Sequence, residues 1–196
     1  MFIQTTPEQA ATGATAEYYE QQRSSWGFLP NYTGAFSQRP DVAQAWNTLN
    51  LAIRGGMDRR RFEIATIAAA RALRSTYCTV AHSKMLRDIC GDEASLHRIA
   101  ESPDGETLGE QDRAVYRFAT KVARDAASVS QDDVDELHAA GLSDGDIADI
   151  VYAAAARSFF TRVLDGLGAQ LDVEIAAEFD PDLYATMVVG REAAKE

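Results

Sequence analysis

Cys78 and His82 stand four residues apart in the stretch Arg74-Ser75-Thr76-Tyr77-Cys78-Thr79-Val80-Ala81-His82. On a helix, residues four apart share a face and their side chains interact. A thiol beside an imidazole can give up its proton, and the thiolate is the nucleophile. With Ser75 as the helix N-cap, Cys78 is the third helical residue. Backbone N–H groups are unpaired there and the helix dipole is positive, so both effects favour thiolate. A bland reading competes with this one, because free cysteine commonly packs as a small buried hydrophobe. Glu63 is the third candidate. Near the start of its own helix its carboxylate complements the dipole. Along one straight helix it would lie about 22 Å from Cys78, at 1.5 Å per residue. The two can meet only if the chain turns back near Ser75, and the polar Arg74-Ser75-Thr76 junction is where such a turn is expected.

The elements that must position these residues read as helix after helix. Residues 8–22 are rich in Ala, Glu and Gln. An aromatic, turn-rich stretch follows at Trp26-Gly27-Phe28-Leu29-Pro30-Asn31. Pro40, tolerated in a first turn because its missing N–H would be unpaired there, opens a helix ending at Gly55-Gly56. Asp58 is a good N-cap for a segment from Arg59 to about Arg74. That segment's centre, Ile64 to Ala70, is apolar nearly all round and therefore expected to be buried. Further helices are predicted over about 75–90, 92–101, 109–126, 130–140 and 144–166. A tail helix follows, opened by Pro181 and apolar from Leu183 to Val189. Val115, Phe118, Ala119 and Val122 recur at helical spacing, as do Ile147, Ile150, Val151 and Ala154. No alternating strand pattern is present. The expected fold class is all-α: an N-terminal helical arm over residues 1–24, then one helical domain over 25–196 that ends in the tail helix.

Composition bounds the function. The chain has 196 residues, 46% of them hydrophobic, with a formal charge of −11. The length allows a core without disulfide staples, and the composition is globular. Net acidity argues against nucleic acid and anionic membranes as partners. Two cysteines are not a disulfide scaffold. No signal peptide and no membrane-length apolar run is visible, so a cytoplasmic location is expected.

The spacing from Glu63 through Ser75 and Cys78 to His82 resembles the alkylhydroperoxidase D-like, or carboxymuconolactone decarboxylase, family. The family motif is a Glu followed by Cys-x-x-Cys-x-x-x-His. Gly27-Phe28-Leu29-Pro30-Asn31 with Arg39-Pro40 is similar to the lead-in of its peroxidase-related branch, and the stretch from Arg157 to Gly168 to its closing helix. The resemblance spans roughly residues 25–185. It implies an alkylhydroperoxidase D-like helical bundle, a homo-oligomer, and reduction of hydroperoxides without a metal or organic cofactor. It also implies roles: Cys78 attacks the peroxide, His82 is the base, and Glu63 orients the His. The first motif cysteine is Ser75 here, and a serine cannot resolve a sulfenic acid. A one-cysteine cycle is therefore expected, with an external thiol or thiol-protein as reductant. Cys90 is expected to be a core thiol, since roughly 18 Å of helical rise separates it from Cys78 and a disulfide needs Cα atoms within about 7 Å. The alternatives are a cysteine-independent decarboxylase-like enzyme and a non-catalytic scaffold that binds a small molecule or partner.

Other signals carry less. Leu137 to Ala148 reads like a DNA-binding helix-turn-helix, but its surroundings are acidic and lack the cations that phosphates need. His97 and His138 lack the neighbours of a metal site. Arg59-Arg60-Arg61 is read as a solvated helix start.

Overall fold

The computed structural model describes residues 1–194, in which every regular element is a helix and no strand occurs. The helices are α1 (Gly13–Trp26), α2 (Pro40–Gly56), α3 (Arg59–Ala72), α4 (Thr76–Asp88), α5 (Glu93–Glu101), α6 (Glu110–Asp125), α7 (Gln131–Ala139), α8 (Asp144–Leu167), α9 (Val173–Ala176) and α10 (Pro181–Met187). The aromatic stretch after α1 leads into a six-residue 3-10 segment, Asn31–Phe36, an ordered element where only turns were expected. Gly55 and Gly56 lie inside α2 rather than beyond its end.

Helix α3 is the axis of the bundle. Every residue from Phe62 to Ala70 is buried, and α4, α6 and α8 pack around it. Its alanines, Ala65, Ala68, Ala69 and Ala70, let those helices approach closely. Helix α6 contributes the face made by Val115, Tyr116, Phe118, Ala119 and Val122. Asp58 caps α3 as the sequence suggests, its side chain accepting from the Arg61 N–H at 2.8 Å. Helix α8 ends at Gly168, whose φ of 76° suits glycine. Tyr18 and Tyr19 of α1 are buried in the same core, so the N-terminal helix packs on the bundle.

The basic run at the start of α3 corrects the solvated reading. Each arginine is committed to a different neighbour. Arg59 pairs with Glu63, Arg60 with Asp92 and Asp112, and Arg61 with Asp146. Three consecutive helical residues point about 100° apart, so the run radiates and ties α3 to the α5 N-cap, α6 and α8.

Between α3 and α4 the chain reverses at Arg74, the only non-glycine residue with positive φ (58°) among those described. The tail tucks back over this turn. Leu183 and Met187 are buried. The Val189 and Gly190 N–H groups donate to Thr76 Oγ1 at 3.2 and 2.9 Å, and Arg71 donates to the Thr186 carbonyl at 3.0 Å. A Cβ on Gly190 would stand 1.9 Å from the Arg74 carbonyl oxygen. Only glycine fits there, and backbone rather than a flexible side chain would have to move. Gly190→Ala is expected to cost about 1–3 kcal/mol, read as a lower urea midpoint, with faster proteolytic trimming of the tail. An unchanged midpoint would mean that the strap contributes nothing.

Candidate active site

The reversal at Arg74 brings Glu63 from α3 against His82 from α4. Glu63 Oε2 lies 2.6 Å from His82 Nδ1, while Arg59 Nε donates to Glu63 Oε1 at 2.6 Å. The carboxylate is wholly buried, and the His82 side chain retains 15% of its exposure. A buried carboxylate with both oxygens engaged is held as the anion. Burial pushes Glu63 up, but His82 and then Arg59 pull harder, leaving it below the usual carboxylate range. His82 moves the other way from its usual role as a cation. Burial and then the charge of Arg157 push its pKa down against the pull of Glu63. The ring is thus neutral near pH 7. Its Nδ1–H donates to Glu63, which leaves Nε2 without a proton and able to accept one.

Ser75 is the N-cap of α4 and Cys78 its third residue, as the sequence indicates. Cys78 is only 1% exposed. Its hydrogen-bond partner is not His82 but Arg157 of α8, whose Nη1 lies 3.6 Å from Sγ. The expected thiolate bias is not realised at rest. Desolvation pushes the thiol up, and Arg157 offsets it only in part. Helix position and spacing are local, whereas desolvation depends on everything packed around the sulfur. Ser75 is also fully buried. Its hydroxyl faces Cys78 and Asp165 but forms no well-made hydrogen bond with either. Cys90 is half-buried beyond the C-terminal end of α4, and both cysteines are free thiols.

Arg157 is the residue that sequence reasoning missed. It is 4% exposed, and its guanidinium stands 5.6 Å from the Trp46 ring centroid and 5.3 Å from that of Phe160. The available signal was one cation in the otherwise apolar middle of α8, on the helical face of Ile150, Ala153 and Ala154.

A cavity of about 870 Å³ opens over Cys78, His82 and Glu63. Its wall is aromatic. Trp46 stacks on Phe160 at 4.9 Å between centroids. Tyr32 meets Phe160 edge-on at 5.6 Å and Tyr77 at 5.8 Å. The segment carrying Tyr32 is fixed through Asp172, which accepts from the Asn31 N–H at 2.7 Å and from the Tyr77 hydroxyl. No group of three or more metal-ligating side chains gathers among the described residues.

Residues 40–103 match the Carboxymuconolactone decarboxylase family. Over the whole chain the fold matches an alkylhydroperoxidase AhpD core, described as an uncharacterized peroxidase-related protein from Ralstonia eutropha JMP134. That match has 21% identity and a TM-score of 0.77, and covers 97% of each chain. A peroxidase-related protein from Silicibacter sp. TM1040 matches at 21% identity and TM-score 0.73, over 89% of this chain and 91% of that one. The debrominase Bmp8, in complex with 2,3,4-tribromopyrrole, matches at 17% identity and TM-score 0.68, over 93% and 94%. No curated protein matches the sequence. The family model over residues 40–103 and the fold over nearly the whole chain thus point the same way: the segment is similar to the carboxymuconolactone decarboxylase family, and the fold is that of alkylhydroperoxidase D-like proteins.

Two measurements test this electrostatic picture. The folded pKa of His82 lies below the unfolded value of 6.5, and that of Glu63 below 4.5. As pH falls through each unfolded value, the unfolded chain takes up a proton that the folded one resists. The contribution of these two groups to stability is therefore level above pH 6.5 and falls below it, first through His82 and then through Glu63. His82→Gln should flatten the upper part of a Tm–pH curve; an identical curve would refute the assignment. Iodoacetamide labelling followed by peptide mapping should give Cys78 a pH midpoint above that of an ordinary thiol, moving higher still in Arg157→Gln. A midpoint below the ordinary value would overturn the desolvated-thiol reading.

Proposed function

We propose that the protein reduces hydroperoxides through Cys78. The observation that carries this reading is the buried Glu63–His82 pair, 2.6 Å apart, beside a cysteine on the floor of the same cavity. His82 Nε2 takes the Cys78 proton, directly or through a water. This transfer is needed because the resting thiol is held protonated. Sγ attacks the terminal peroxide oxygen, so the S–O bond forms as the O–O bond breaks. The leaving oxygen takes the electron pair and then the proton from His82, and departs as an alcohol. Cys78 is left as the sulfenic acid. One external thiol condenses with it, releasing water and giving a mixed disulfide. A second external thiol regenerates Cys78 and leaves as the oxidised thiol pair. Ser75 takes no part, consistent with its buried, unbonded hydroxyl.

The aromatic wall favours a second reading of the same thiol, namely reductive removal of halogen from an aromatic ring. The debrominase with this fold holds a bromopyrrole. Two external thiols would then be oxidised for each carbon–halogen bond replaced by carbon–hydrogen, with halide released.

A pulse of cumene hydroperoxide with a sulfenic-acid trap, read by intact mass, decides the matter. One adduct on Cys78 that vanishes in Cys78→Ser and falls at least tenfold in His82→Ala is expected. Ser75→Cys should replace the adduct by an internal disulfide, since residues three apart on a helix turn meet the distance requirement. If Cys78 stays unmodified, the peroxidase reading falls. Bromide release from 2,3,4-tribromopyrrole with excess thiol would then favour the second.

A further inference from the structure

Arg157 poses a problem that the peroxidase cycle does not solve. Burying a guanidinium is costly unless an anion pairs with it. Yet no carboxylate among the described residues lies within ion-pair distance of Arg157, although twelve arginine– or lysine–carboxylate pairs form elsewhere among them. Its Nη1 faces the Cys78 sulfur, a neutral thiol at rest. Its Nε is buried and has no hydrogen-bond partner. Two carboxylates line the cavity. Glu63 is committed to Arg59 and His82, and Glu20 is exposed and pairs with none of the cavity arginines, Arg54, Arg59 and Arg157. Arg54, also on the wall, has no ion pair either. The floor of the cavity is therefore positive, and its sides are aromatic planes, with Trp46 stacked on Phe160 at an interplanar angle of 20°.

We propose that this cavity binds a flat, apolar organic anion, with its ring on the Trp46–Phe160 stack and its anionic oxygens on the unpaired edge of Arg157 beside Cys78. A planar guanidinium presents parallel donors to a carboxylate or a ring-bound oxygen anion. Aromatic walls with one placed charge are the common build of a small-molecule site, and the cavity volume falls within the usual range for such ligands. The single cation over the Trp46 and Phe160 rings, Arg157, is already oriented by them, so little ordering remains to be done on binding. The proposal rests on the same site as the peroxidase reading and names the class of molecule the site selects. It does not require turnover.

Isothermal titration of the Cys78→Ser protein with 2-naphthoate, 2-naphthylmethanol and acetate tests it. The flat acid is expected to bind at least tenfold tighter than its neutral alcohol, and acetate not measurably. In wild type, 2-naphthoate should slow iodoacetamide labelling of Cys78 but not of Cys90. Arg157→Gln should abolish the preference for acid over alcohol, and Trp46→Leu should weaken both ligands. Should Arg157→Gln fail to fold, Arg157→Lys serves in its place, retaining the charge and losing most of the gain from the paired donors. Equal affinity for acid and alcohol in the parent protein overturns the proposal. So does a preference that survives in a folded Arg157→Gln. Because binding is read at equilibrium without peroxide, failure here is separable from failure to form the sulfenic acid.

Discussion

Arg74 turns the chain back on itself with a backbone angle, φ = 58°, that a side chain disfavours. The active-site geometry follows from that reversal. Without it Glu63 and His82, nineteen residues apart, would sit far from one another on one rod. With it their side chains meet at 2.6 Å. The turn is held by several bonds rather than by local preference. The Ser75 N–H reaches back to the Ala70 carbonyl at 2.9 Å, and the tail lies across the outside. A strained residue of this kind persists only where the surroundings over-determine it. Here they do so on both sides of the helix junction.

The arginines divide into two populations. Those at the start of α3 are all neutralised by carboxylates, and Arg60 and Arg61 act as ties to other elements. Arg59 belongs to both structure and site, since it holds the oxygen of Glu63 that His82 does not use. Arg157 is different in kind. It lies deeper than any of them and faces only a sulfur and two aromatic rings. Its charge acts on both Cys78 and His82 at once, favouring a thiolate on the one and disfavouring a proton on the other. A neutral imidazole next to a desolvated thiol is a base waiting for a reason to act, rather than a preformed ion pair.

Much of this was legible in the sequence because it is local. The all-α class follows from apolar residues recurring at helical spacing. The buried axis shows in the unbroken run from Ile64 to Ala70, and the break at Arg74-Ser75 shows as a polar junction between two apolar stretches. The motif made of Glu63, Ser75, Cys78 and His82 survives as spacing alone. What was not legible depends on partners distant in sequence. Arg157 is 79 residues from Cys78, and nothing in its own helix says which face meets the sulfur. The direction of the Cys78 pKa reverses the local expectation for the same reason. A dipole can be read from position in a helix, but desolvation can be read only from the packed whole. The arginine triplet misleads in the opposite sense, because the acceptors of Arg60 and Arg61, at the α5 N-cap and on α6 and α8, come together only on folding.

The clasp over the Arg74 turn also has a consequence for the order in which the molecule is made. Thr76 is bonded to Gly190, 114 residues later in the chain. During synthesis Cys78, His82 and Glu63 are therefore all out of the ribosome long before the segment that locks their junction. The nascent chain carries these three residues on an unfastened hinge, and the thiol meets Arg157 only once α8 has been made. Chemistry at this site is thus coupled to completion of the polypeptide, and a chain stalled before the clasp would hold all three site residues without their fixed geometry.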